Sequence, residues 1–155
     1  TMQTMEITEA PVIFSHSNAH ALRQHGRNIK DDQIKACAAT GGLVGITGVG
    51  DFLGEDDASL EAFMRHLDYV VTLAGPEHVG LGLDLVYDMA GWHSIFHANK
   101  DRYWRDYGDT PPSEFFPPET LPALTEAMLE AGYSDDDVRG ILGGNYLRIV
   151  DEVWK

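Results

Sequence analysis

Apolar residues along this chain fall into two kinds of run. Residues 11–15, 42–48 and 78–84 are short, nearly continuous apolar stretches bounded by glycine, proline or polar clusters, the pattern of strands buried on both faces. Elsewhere apolar residues recur at helical spacing. Leu60, Phe63, Met64, Leu67, Val70, Val71 and Ala74 define the strongest helix, with Asp57 or Ser59 as its cap and Gly75-Pro76 as its stop. Ile34, Cys37 and Ala38 give a narrower face behind Asp31 and Asp32, whose charges suit a helix N-terminus, and Gly41 ends it. Leu121, Leu124, Met128 and Leu129 follow Pro117-Pro118. Ser134 and Asp137 have capping-box spacing ahead of Val138, Ile141 and Leu142, and a last helix carries Leu147, Val150 and Val153. Met2, Met5 and Ile7 read as the closing turns of a helix that leads straight into the first strand.

The order strand, helix, strand, helix, strand, long segment, helices argues for a parallel α/β sheet with crossover helices. A doubly wound sheet and a (β/α) barrel both satisfy the pattern, and both place a site beyond the carboxyl ends of the strands. Two of the three strands end there on ionisable residues, His16 and Asp84. Residues 86–118 show no sustained period yet hold Trp92, His93, Phe96, His97, Tyr103, Trp104, Tyr107, Phe115 and Phe116. So many aromatics predict a functional wall or lid, a long aromatic loop, rather than a disordered linker.

Charge and composition narrow the partners. With 25 acidic and 11 basic residues the formal net charge is −14, which repels nucleic acid and anionic lipid alike. The single cysteine, Cys37, cannot close an internal disulfide, and no run approaches the length of a membrane span, so a cytoplasmic address is the expectation.

Four blocks then carry a resemblance. Pro11-Val12-Ile13-Phe14-Ser15-His16-Ser17-Asn18-Ala19, Arg27-Asn28-Ile29-Lys30-Asp31-Asp32, His78-Val79-Gly80-Leu81-Gly82-Leu83-Asp84 and Leu142-Gly143-Gly144-Asn145-Tyr146-Leu147-Arg148 resemble, in order, segments of the membrane dipeptidase (renal dipeptidase) family, zinc enzymes of the amidohydrolase type. The resemblance implies the C-terminal half of a (β/α)8 TIM-type barrel, strands six to eight with their helices, as one partial catalytic domain over residues 1–155. It implies His16 as a ligand to one zinc of a binuclear pair and Arg27 as the holder of a dipeptide's α-carboxylate. Asp84 would handle the proton of the attacking water, and Asn18 would lie at the substrate or orient its neighbours. The family's other zinc ligands precede the block that contains His16, so a separate N-terminal half-barrel or a second copy of the chain is the expected partner. Phe52 stands where some members place a tyrosine near the substrate carboxylate, and Leu85-Val86-Tyr87-Asp88 follows Asp84 where many show Phe-Asp-Gly.

The expected function is zinc-dependent hydrolysis of dipeptides. The alternative is a non-catalytic fragment or pseudoenzyme that self-associates through the open edges of its sheet. His93 and His97, four apart without an intervening glutamate at the second position, read as lid composition rather than a metal pair.

Overall fold

A computed structural model describes residues 1–103 and 113–154; the expected aromatics Trp104 and Tyr107 lie outside the described residues. In chain order the elements are α1 (Met2–Ile7), β1 (Ile13–Phe14), α2 (Asp31–Ala39), β2 (Leu43–Ile46), α3 (Gly50–Leu53), α4 (Leu60–Ala74), β3 (Val79–Leu81), α5 (Met89–Tyr103), α6 (Leu121–Glu130), α7 (Asp135–Arg139) and α8 (Asn145–Val153), with a π-helical turn over Gly140–Gly144. The three strands form one parallel sheet in the order β1-β2-β3. Val44 sits opposite Phe14 on one side and Val79 on the other.

The strands are shorter than their apolar runs because the ladder continues by other means. Leu43 donates to the Val12 carbonyl and Ser17 to that of Gly45, at 3.0 and 2.8 Å, while Gly82 donates to Ile46 and Gly48 to Leu83. These bonds carry the pairing past the regular strands at both ends, so the backbone polar groups stay satisfied as the chains diverge into loops. Every residue of β2 is buried, as a central parallel strand requires.

Helix α4 is the main cover of the sheet. Ser59 accepts from the Ala62 N–H as its N-cap, and Gly75, at φ +93°, ends it. Its buried face is Ala62, Phe63, His66, Leu67 and Val70. Of the positions the spacing predicts, Phe63, Leu67 and Val70 are buried and Leu60, Met64, Val71 and Ala74 half-buried, while Ala62 and His66 join the buried face outside that pattern. Phe63 meets Phe116 with ring centroids 4.5 Å apart, and the Tyr69 and Tyr133 hydroxyls donate to Asp31 and Asp68 at 3.0 and 2.6 Å. Those two bonds link α4 to α2 and to the turn before α7. Ser134 and Asp137 form the predicted reciprocal cap on α7.

Two expectations change. Of the apolar positions in α1, only Met5 is buried; Ile7 is 82% exposed. The segment expected to be a long loop contains the fifteen-residue helix α5. Its apolar residues do not repeat on one face, and among those of its residues whose burial is described only Phe96 is buried, so no amphipathic signal announced it. Buried Cys37 donates to the Val12 carbonyl at 3.1 Å, and burial pushes its thiol up to about 11, which leaves it unreactive at neutral pH.

The C-terminal block closes the opposite end of the sheet. The Asn145 amide donates to the carbonyls of Pro76 and Val79 at 2.8 and 2.7 Å, and the Arg148 guanidinium to those of Gly41 and Glu77 at 3.0 and 3.1 Å. All four acceptors flank the starts of β2 and β3. Conservative removal of the first pair, Asn145→Ala, strands two carbonyls and lowers unfolding free energy by about 2–4 kcal/mol, read as a lower denaturant midpoint at unchanged slope. A change below about 0.5 kcal/mol contradicts this role.

Candidate functional site

Strand β1 ends at Phe14, and the next two residues turn their side chains toward each other. The His16 ring lies between two partners, with Nδ1 2.7 Å from Ser15 Oγ and Nε2 3.0 Å from Arg27 Nη2. A guanidinium can only donate, so Nε2 accepts, and Nδ1 carries the proton that goes to Ser15. Eleven residues apart in sequence, His16 and Arg27 are thus in direct contact. The Arg27 guanidinium also sits over the Phe52 ring, 5.5 Å from its centroid. Phe52 itself is buried on α3, with the His25 ring 4.7 Å away. Asp51, one residue earlier, takes Arg23 at 3.1 Å and His25 at 3.5 Å. Phe52 therefore serves as a platform for the cation rather than as a hydrogen-bonding group.

The loop that presents Arg27 doubles back on itself. Ile29 donates to the Asn18 carbonyl and His20 to that of Ile29, at 2.9 and 2.8 Å, so Ala19 and Ile29 pair in parallel and Arg27 rides the turn between them. Asn18 is fully buried; its amide donates to the Thr47 carbonyl and accepts from the Thr47 N–H, at 3.1 and 3.2 Å. A side chain here replaces backbone as the next rung of the β1–β2 ladder. Asn18 accordingly orients its neighbours and offers a substrate no exposed surface. Asn28 crosses to the next loop, its Nδ2 donating to the carbonyls of Arg23 and Phe52 at 2.9 and 2.8 Å.

A second buried tie comes from below. His66, with no exposed surface, accepts from the Ala19 N–H at Nδ1 and donates from Nε2 to the Leu53 carbonyl, at 3.1 and 3.0 Å. Its place among the buried positions of α4 is the one sign it leaves in the sequence, and the periodic pattern of apolar residues passes over it.

Asp84, three residues beyond the end of β3, has φ +57°, a left-handed conformation that aspartate tolerates better than most residues. Its carboxylate is exposed. Two residues before it, Gly82 lies against the Ser15 carbonyl, and a Cβ there would stand 3.1 Å from the His16 Cα. His16, Arg27 and Asp84 therefore share one end of the sheet, the first two in contact.

The aromatic excursion has both its feet at this end. It leaves from Asp84 and returns where Phe116 donates to Gly48 and Gly50 to Glu114, at 2.8 and 2.9 Å. Asp56 receives Ser113 and Glu114 N–H groups and the Ser113 hydroxyl, which fastens the returning arm to the loop after α3.

Among the described residues no group of three or more His, Cys, Asp or Glu side chains is placed to hold a metal. One imidazole whose accepting nitrogen faces a guanidinium does not make a zinc site, which takes three or four protein ligands. The residues described here do not by themselves fit the metal that the sequence resemblance implies. His93 and His97 lie on α5, where the His93 Nε2 is buried without a partner among the described residues and His97 packs edge-on to Phe96.

Residues 1–99 match the family model described as Membrane dipeptidase (Peptidase family M19). The chain is 41% identical over 154 residues to an uncharacterized dipeptidase of Schizosaccharomyces pombe, covering 97% of this chain and 32% of that protein. It is 34% identical over 150 residues to dipeptidase aclJ of Aspergillus oryzae, covering 95% and 31%. Among solved structures, an amidohydrolase from Pseudomonas aeruginosa aligns with a TM-score of 0.81 at 26% identity, covering 99% of this chain and 49% of that one. A metallo peptidase from Rhodobacter sphaeroides, liganded with a phosphinate mimic of the dipeptide L-Ala-D-Ala, aligns with a TM-score of 0.71 at 28% identity, covering 97% and 38%. The chain spans at most about half the length of the proteins it matches.

His66 gives stability a defined pH dependence. Burial pushes its ring from the ordinary 6.5 down to about 4, against the pull of its bond to Leu53 and with a small contribution from Arg65. The stability carried by the neutral ring is complete above about pH 6.5 and is lost as pH falls toward 4, by about 3 kcal/mol in all. Denaturant unfolding at pH 7 and pH 4.5 measures the slope, which His66→Gln flattens; an equal slope in both proteins contradicts the assignment.

Proposed function

Because the chain belongs to the membrane dipeptidase family, we propose that its strand-end cluster is the carboxylate-recognising and proton-handling side of a dipeptidase site. The observation that carries this reading is the contact of Arg27 with His16 above the Phe52 ring. A guanidinium over an aromatic face carries its donors in its own plane, and that planar fork suits a two-point hold on a carboxylate. The α-carboxylate of a dipeptide is a stronger acceptor than the imidazole nitrogen that Arg27 now meets. Its arrival would draw the guanidinium from His16 and leave Nε2 open for another partner.

In this reading the three strands are the sixth to eighth of an eight-stranded barrel, an order that rests on the four sequence blocks. Asp84, exposed beyond the end of β3, takes and returns the proton of the attacking water. The zinc pair of the family would supply the activation of that water when bound, with His16 as the one candidate ligand in the cluster. The further ligands would come from a polypeptide segment outside the described residues, an N-terminal half-barrel or a second copy of the chain. A second reading is a non-catalytic chain that self-associates. It is favoured by the sheet order, which leaves one edge each of β1 and β3 without a strand partner among the described residues.

Native mass spectrometry of the purified protein followed by assays on a dipeptide panel separates the two. A complex with about two zinc ions that cleaves dipeptides supports the first reading; self-association without metal or hydrolysis supports the second. In the active protein Arg27→Lys raises KM about tenfold or more for dipeptides with a free carboxylate, since a point charge replaces a fork. Asp84→Asn lowers kcat by about 100-fold or more at little change in KM. Zinc-loaded protein inert toward the whole panel overturns the dipeptidase reading.

A further inference from the structure

We propose that His66 is a positioning residue that sets where Arg27 stands, a role that rests on the dipeptidase reading. The argument starts from the two groups it joins. Its Nδ1 holds the N–H of Ala19, and Ala19 is the base of the turn that carries Arg27, paired across to Ile29. Its Nε2–H holds the carbonyl of Leu53, the neighbour of Phe52, and Phe52 is the ring beneath the Arg27 guanidinium. One rigid five-membered ring therefore fixes the spacing between the backbone that delivers the cation and the backbone that delivers its platform.

The other ties between these two loops, from Arg23 and His25 to Asp51 and from Asn28 to Phe52, all start from side chains of the loop itself. Asn28 reaches the Phe52 carbonyl at 2.8 Å through a side chain with rotatable bonds, from within the turn itself. His66 comes instead from α4, the helix most deeply buried against the sheet, and it has no exposed surface through which to relax. Its donor and acceptor lie on opposite sides of the ring, so neither bond can be kept by moving the ring toward the other. Its two bonds join the two elements whose relative placement sets the direction of the guanidinium. The placement of a binding group to within a fraction of an ångström governs how well it meets its ligand.

Two isosteric substitutions take the tie apart. His66→Asn keeps an acceptor near the Nδ1 position and so the bond to Ala19; His66→Gln keeps a donor near the Nε2 position and so the bond to Leu53. Steady-state kinetics of the holoenzyme with a free dipeptide and with the matching dipeptide amide, which lacks the carboxylate, gives the readout. The expected result is KM for the free dipeptide raised about tenfold in both variants with kcat within about twofold, and little change in KM for the amide. Equal losses on both substrates, or an unchanged KM in both variants, overturns the proposal and leaves His66 a packing residue.

A wild-type protein without hydrolysis is a failure of the dipeptidase reading instead. The positioning claim is then decided by the Nε–H resonance of Arg27, identified by its loss in Arg27→Lys. It shifts or broadens in both His66 variants if His66 places the guanidinium, and it stays fixed in both if it does not.

Discussion

The arrangement depends on how closely the end of β1 can approach the other two strands. The Ser15 carbonyl lies where a Cβ would stand at Gly45 of β2 and again at Gly82 just beyond β3, so a side chain at either position would overlap backbone. Only glycine leaves that space. The same carbonyl accepts from the Tyr146 hydroxyl at 3.3 Å, from the helix that closes the far end of the sheet. Ser15 is thereby held on three sides, and His16 follows it. The histidine is presented over the sheet because the strands beneath it are bare, and a single methyl group at Gly82 would push both residues away together.

Buried polar bonds divide the work between the two ends of the sheet. At the starts of β2 and β3, Asn145, Arg148 and His78 hold backbone carbonyls of the connecting turns, the last through its Nδ1 and Gly42 at 2.8 Å. At the other end Asn18, Asn28 and His66 hold backbone of the loops. The buried ones, Asn145, Asn18, Asn28 and His66, replace water that a loop near the core cannot reach, which is why their loss is more damaging than the gain of one hydrogen bond suggests. The difference lies in what is being held. At the closed end the bonds fix strands against helices; at the open end they fix the groups of the candidate site against one another.

Much of this was legible in the sequence, for reasons that can be named. The face of α4, the Ser59 cap, the reciprocal cap at Ser134 and the parallel order of the strands all follow from periodicity and local hydrogen bonding, which a linear pattern records. The grouping of His16 with Arg27 was legible through family blocks alone, since periodicity says nothing about a contact made across a loop. Helix α5 stayed hidden because among its described side chains only Phe96 is buried, and a helix without an apolar stripe leaves no period. The service of Asn18 as a rung of the ladder was also out of reach. A buried asparagine at a strand end looks the same in sequence whether it faces a ligand or a backbone amide, and only the position of Thr47 decides.

The charge distribution gives the cluster its direction. Against a formal net charge of −14, residues 16–30 contain Arg23, Arg27 and Lys30 with three histidines and no acidic residue. The field of the whole molecule repels an anion, so an anionic group that does reach the surface is drawn to this one loop. Within the loop the cations are not equivalent. Arg23 and His25 lean on Asp51, and the bond to a carboxylate lowers what either gains from a second one. Arg27 has a ring nitrogen and an aromatic face among its partners, and both help to orient the guanidinium. A carboxylate exchanged for the imidazole adds a charge-assisted pair where there was a neutral acceptor, and the stack on Phe52 need not be broken to form it. The acidic excess elsewhere makes the basic stretch of residues 16–30 stand out as the place where the proposed carboxylate would be held.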